Sequence, residues 1–222
     1  MIEAGLDSRR NLLEQRPILN GGEIPRGGGH PVMSVPGLLK SDKDMNEMRD
    51  FLSEEGYTSL ESGIEKNREP GPHIFNIISR LENVVNEMGQ KATLIGVSLG
   101  GIYALAIGVG RPDLVQRVML IGTATRKHVS KAANPRYKRI IDMVIKGNQH
   151  YESFLEAVPT VIIPQGVELI SLYTRNDGVF NWEDCVDSRA RLNIEVSDSH
   201  HKLHKSPEVF EIIRGVLSKA SA

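Results

Sequence analysis

"ATLIGVSLGGIYALAIGVG", Ala92–Gly110, carries no charged residue in nineteen positions. That is close to the ~20 apolar residues that cross a bilayer as one helix. The glycines of "GVSLGG" divide it into two short halves and disfavour a single continuous helix. The stretch therefore reads as a buried strand, a sharp turn and a buried helix. At the turn lies Gly96-Val97-Ser98-Leu99-Gly100, a Gly-x-Ser-x-Gly pentapeptide. A nucleophilic serine needs its Oγ held at a fixed exposed point, and a tight strand-to-helix turn supplies one. Gly96 and Gly100 relieve the crowding that such a turn imposes. The N–H of Leu99, at the start of the helix, can then bind a developing oxyanion. The competing interpretation makes Ser98 a small filler in a glycine-rich crossover. Five-residue patterns recur by chance, so the strand before the turn and the helix after it carry the weight.

Working outward, strand and helix signals alternate. "PVMSV" (Pro31–Val35) is a short apolar strand with proline tolerated at its first position. Pro36 ends it and opens the loop "PGLLKSD". Met45, Met48, Phe51 and Leu52 give Lys43–Glu55 a helical stripe, stopped at Gly56. "YTSLES" (Tyr57–Ser62) is the second strand signal. After the breaker "EPGP", His73–Met88 is an amphipathic helix. Further strands are predicted at Lys91–Val97, Leu114–Thr123, Val167–Thr174 and Leu192–Val196, and a last helix at Pro207–Lys219. Strands alternating with helices, the central strands mostly apolar, predict an α/β fold with a mainly parallel sheet covered on both faces. Two parts stand outside the pattern. Residues 1–29 form an N-terminal extension, with "GGGH" (Gly27–His30) as a flexible linker. Residues 126–165 form a long cap-like insertion into the domain 30–222, with a helix around Tyr137–Ile145. Its Ile140, Ile141, Met143 and Val144, set among basic residues, suit either a lid or an amphipathic helix packed on the core.

The 222 residues contain 27 basic and 28 acidic side chains, a net charge of −1. Nothing in that balance points to a nucleic-acid groove or a polybasic membrane anchor. One cysteine, Cys185, leaves no internal disulfide. Together with a start that lacks an apolar signal core, this favours a cytoplasmic location. Cys185 itself lacks an evident base and reads as a buried thiol.

A serine nucleophile needs an acid and a base following it at strand ends. "SLYTRNDG" puts Asp177 just after one predicted strand, and "NIEVSDSHHKLHKSP" puts His200 just after the next. Both would lie at the carboxyl edge of the sheet, where open α/β sheets bind ligands. Asp184 and Asp187 are rival acids, read more simply as solvated loop residues. His201 is a reserve base. His200, His201 and His204 invite a zinc reading, but no matching Cys or Glu cluster occurs elsewhere, so no metal is expected.

"VPGLLKSDKDMNEMRDFLSEEGY", "LIGVSLGGIYALAIGVGRPDLVQRVMLIGTA", "LYTRNDGVFNWEDCVD" and "NIEVSDSHHKLHKSPEVFEII" together resemble the α/β-hydrolase superfamily. They look most like its small bacterial lipase- and esterase-like members, near the inositol-deacylase-like group. The resemblance covers most of the chain from His30 onward. It implies a Ser98–Asp177–His200 triad and a second oxyanion donor in "PGLL", the backbone N–H of Leu38. Many relatives have His-Gly where this chain has Pro36-Gly37, and larger ones begin with two extra antiparallel strands. The short, glycine-rich lead-in here implies a minimal sheet of about six strands. The expected activity is a serine carboxylester hydrolase acting on a small-molecule ester or lipid, through an acyl-enzyme and with no cofactor. An acyltransferase or thioesterase on the same triad, or a binding protein that keeps the fold without turnover, are the alternatives.

Overall fold

The structure is a computed structural model that describes residues 27–68, 72–145 and 149–218. Six strands form one all-parallel sheet: β1 (Pro31–Val35), β2 (Thr58–Glu61), β3 (Ala92–Val97), β4 (Val115–Ile121), β5 (Glu168–Tyr173) and β6 (Leu192–Glu195). Their order is β2-β1-β3-β4-β5-β6. The sheet grows one way from β1 to β2 and the other way from β3 onward. The loops after β1 and β3 therefore leave a crevice between neighbouring strands, the switch point at which open α/β sheets bind ligands.

The helices are α1 (Asn46–Glu54), α2 (Pro72–Met88), α3 (Leu99–Gly110), α4 (Val129–Ala132), α5 (Pro135–Ile145), α6 (Gln149–Ala157) and α7 (Pro207–Ser218). Alternate residues of the central strands enter opposite cores, as a period of two requires. Leu94, Val118 and Leu120 pack on the side of α2, α3 and the insertion. Ile95, Met119 and Ile121 pack on the side of α1 and α7. With all six residues of β3 buried, the apolar run that could be mistaken for a membrane span is a central strand followed by α3. No helix among the described residues is long and apolar enough to cross a membrane.

The structure departs from the sequence expectations in three places. The helix expected from Lys43 begins as a 3-10 turn, Asp42–Met45, before α1. There the Asp42 carboxylate accepts hydrogen bonds from the N–H groups of Ser62, Gly63 and Ile64 and from the Ser62 hydroxyl, so a tertiary contact fixes that turn. Gly27–His30 is not a linker. Gly27 and Gly29 donate to the carbonyls of Glu55 and Gly56, and a Cβ on Gly27 would run into the Tyr57 ring. The ordered domain thus includes Gly27; the rest of the expected extension, 1–26, and the breaker residues 69–71 lie outside the described residues. The insertion holds α4 and α6 as well as the helix expected from its periodicity.

Close approach of backbones at the β1 and β3 ends depends on glycine. A Cβ on Gly100 would lie 2.2 Å from the Val35 carbonyl oxygen and 2.6 Å from that of Pro36. Replacing a helical glycine by alanine ordinarily stabilises by about 1 kcal/mol. Here we expect the opposite sign: Gly100→Ala should lower the urea midpoint, with an overpacking cost of about 1–3 kcal/mol. A midpoint at or above wild type would contradict the packing of α3 against β1.

Candidate active site

Ser98 lies between β3 and α3 with φ 53° and ψ −119°, a conformation strained for a residue with a Cβ. Neighbouring backbone holds it there. Its N–H donates to the Ile121 carbonyl at 2.8 Å, and its own carbonyl accepts from Gly101 N–H at 3.0 Å and the Thr123 hydroxyl at 2.9 Å. A Cβ on Gly96 would meet the Gly101 backbone at 2.4 Å, so the pentapeptide glycines are small because strand and helix touch there. As the first residue of α3, Leu99 has an N–H that its own helix cannot satisfy.

The loop after β1 comes up against this turn. A Cβ on Gly37 would sit 3.2 Å from Ser98 Cβ and 3.9 Å from Ser98 Oγ. Leu38 follows, and Leu39 is the other non-glycine residue of positive φ among the described residues, at 60°. Pro36 is compatible with this approach, because the residue against Ser98 is Gly37.

From the β5 and β6 ends come Asp177 and His200, both buried. The His200 Nδ1 and Asp177 Oδ2 are 2.8 Å apart. A carboxylate only accepts, so Nδ1 carries the proton in the neutral ring and Nε2 keeps its lone pair. Asp177 Oδ1 accepts from the N–H groups of Val179 and Phe180, which fixes the carboxylate plane. The Phe180 ring meets His200 edge-on at 5.6 Å, and a Cβ on Gly122 would lie 3.2 Å from Nδ1. Ser98, Leu38, Leu99 and His200 all line one mainly apolar cavity of about 240 Å³. Among the described residues no hydrogen bond joins Ser98 Oγ to the His200 ring. Such bonds are commonly long in unliganded sites and tighten with substrate.

The rival acids are engaged elsewhere, and the view of them as solvated is wrong. Asp184 and Asp187 are each only 2% exposed. Asp184 pairs with Lys127 at 3.2 Å. Asp187 accepts from the Thr125 hydroxyl and pairs with Arg189, whose guanidinium also donates to the carbonyls of Val158 and Val161. Burial alone would raise the Asp187 pKa; the bonds from Arg189 and Thr125 outweigh it and hold the carboxyl below its usual range. This pair ties both ends of the insertion to the β5–β6 connection. Cys185 is a buried thiol, pushed up by burial and by nearby Asp177.

Residues of the insertion complete the cavity wall: Val129, Tyr137, Ile140 and Ile141. Its helix α5 faces the cavity with part of its apolar stripe, while Ile140 and Met143 keep exposed surface. Tyr137 Oη and His201 Nε2 are 3.2 Å apart, so His201 links to α5 and not to Asp177. His204 is buried at the cavity edge. Gly122 and Tyr137 were not anticipated from sequence as parts of the site, whereas Gly37 lies in the expected oxyanion loop. Gly122 does have a signal in the string: it stands at a strand end, where close packing demands a missing side chain.

Burial, followed by repulsion from Lys40 and Lys205, lowers the His204 pKa. Burial also lowers that of His30, against an opposing hydrogen bond that the ring donates to Gln90. The folded protein therefore binds fewer protons than the unfolded chain just below the ordinary histidine value. Stability from these two residues is complete above about pH 6.5 and is lost as pH falls below it. We expect the thermal midpoint to drop between about pH 7.5 and about pH 5, and the drop to shrink in His204→Gln and His30→Gln. Carboxylates such as Asp187 titrate lower, outside this window. A midpoint constant across it would contradict the assignment.

The sequence from Ser59 to Ile213 (residues 59–213) matches the model of an uncharacterised protein family, UPF0227. No curated protein matches the chain. Solved structures share its fold. The mature Bacillus licheniformis lipase BlEst2 is 16% identical with a TM-score of 0.59, over 90% of this chain and 92% of that one. An esterase from Thermogutta terrifontis is 17% identical with a TM-score of 0.55, over 89% and 92%. Mouse alpha/beta hydrolase domain-containing protein 10 is 16% identical with a TM-score of 0.53, over 86% and 89%. At these identities the likeness establishes the α/β-hydrolase fold and leaves the chemistry to the site.

Proposed function

The chain belongs to the uncharacterised protein family UPF0227, and we propose that it is a serine carboxylester hydrolase with Ser98 as nucleophile, His200 as base and Asp177 as its orienting acid. The observation that carries this is the buried His200–Asp177 hydrogen bond beside the strained Ser98 turn, with Ser98 and His200 lining one cavity. Ser98 Oγ attacks the ester carbonyl carbon as His200 Nε2 takes its proton. The carbonyl oxygen becomes an oxyanion that accepts from the N–H groups of Leu38 and Leu99. Collapse breaks the bond to the alcohol oxygen, which leaves with the proton from Nε2. Water, deprotonated by the same nitrogen, then cleaves the acyl-enzyme and restores Ser98. From the insertion, Val129, Tyr137, Ile140 and Ile141 cover the acyl group.

The cavity, about 240 Å³ and mainly apolar in its lining, favours short acyl chains of up to about six carbons over long ones. On a p-nitrophenyl ester series, kcat/KM should peak within that range and fall for palmitate, and Ser98→Ala should lose turnover by at least ~10³-fold while keeping the wild-type melting curve. Full activity in Ser98→Ala would end the proposal, and an optimum at palmitate would overturn the cavity assignment.

The base role has its own test. His200→Gln should lose turnover of the same esters by at least ~10³-fold while keeping the wild-type melting curve, and full activity in that variant would remove His200 from the base role.

A further inference from the structure

We infer that Asn67 is a positioning residue: its side chain and backbone set the distance between the two halves of the oxyanion hole. The inference rests on the hydrolase proposal above, in which Leu38 and Leu99 supply the two N–H donors. Those donors come from separate pieces of chain. Leu38 is in the loop after β1 and Leu99 opens α3. The loop itself is under strain, with Leu39 at φ 60°, and its own internal bond is a single turn contact, Lys40 N–H to the Gly37 carbonyl at 3.1 Å. A strained loop keeps one shape only where its surroundings over-determine it.

Asn67, fully buried in the connection after β2, provides that constraint. Its Nδ2 donates to the Pro36 carbonyl at 2.8 Å. Its backbone carbonyl accepts from Leu39 N–H at 2.8 Å, and its backbone N–H donates to the Lys40 carbonyl at 2.7 Å. The three bonds bracket Leu38 on both sides. On its far side, Asn67 Oδ1 accepts from the Tyr103 hydroxyl at 2.9 Å. Tyr103 is fully buried on α3, the helix whose first N–H is that of Leu99. The amide orientation follows from its partners, since the Pro36 carbonyl can only accept. One side chain thus bridges the loop that carries one donor to the helix that carries the other. At its far end the same loop is tied to this connection a second time, through the Asp42 carboxylate on the N–H groups of Ser62, Gly63 and Ile64, so Asn67 acts at the end nearest Leu38.

Asn67→Asp keeps the size and the acceptor toward Tyr103 but loses the donor to Pro36. Tyr103→Phe is the milder variant: it removes the anchor on α3 and leaves every Asn67 bond to the loop. For each variant, kcat and KM on p-nitrophenyl butyrate would be measured, with inhibition by an alkyl boronic acid, whose adduct on Ser98 is tetrahedral, and a melting curve. We expect kcat to fall about 100-fold in Asn67→Asp and about tenfold in Tyr103→Phe. Boronate affinity should fall in parallel, KM should stay within a few-fold, and Tyr103→Phe should melt near wild type. A residue that served stability alone would lower the melting temperature and leave kcat per folded molecule and boronate affinity unchanged, which would overturn the inference. A wild type that neither turns over esters nor binds the boronate would overturn the hydrolase proposal, and this inference with it. Wild-type turnover with unaltered variants would overturn this inference alone.

Discussion

A Cβ at Gly37 would come within 3.2 Å of the Ser98 Cβ, and the architecture of the site depends on that approach. It brings the loop after β1 onto the turn after β3, which is possible because these strands are neighbours at the point where the strand order reverses. The same crowding explains the other small residues. Gly100 lets α3 pass the end of β1, Gly101 makes room for Thr123, and Gly122 makes room for the His200 ring. Glycines at these positions transmit the sheet geometry into the placement of Leu38, Ser98, Leu99 and His200 around one cavity. The strain at Ser98 and Leu39 is the cost of presenting them, and buried hydrogen bonds to Ile121, Thr123 and Asn67 hold it in place.

Much of this was legible in the sequence, because the fold is written in strong local patterns. The strand signals were found within a residue or two, since β3 and β4 are apolar runs bounded by loops and an all-parallel sheet demands such strands. Ser98, Asp177 and His200 were singled out as candidates from their places after strands. Such a place locates a residue at one edge of the sheet, and the structure puts Asp177 and His200 in direct contact there.

What was not legible depends on contacts between distant segments. Asp184 and Asp187 look like ordinary loop acids in the string. Their burial follows from Lys127, Thr125 and Arg189, whose approach no local pattern announces. The insertion shows one periodic helix in its sequence, but α4 and α6 are short and owe their form to packing against the core through Val129, Ala132 and Leu155. Gly27–His30 looked flexible because glycine is flexible in an unfolded chain; here the glycines supply the positive φ of a tight turn pinned to the end of α1. Asn67 has no motif at all, and its place between Pro36 and Tyr103 is a property of the folded chain alone.

The central claim is that Ser98 is an activated nucleophile, and a covalent probe tests it most directly. The full-length protein would be treated with a fluorophosphonate at neutral pH, digested, and mapped by mass spectrometry, beside the same protein heat-denatured before treatment. The account predicts one phosphonylated peptide, modified at Ser98, in the folded protein and none in the denatured control. Labelling at another serine, or no labelling of the folded protein, would contradict it.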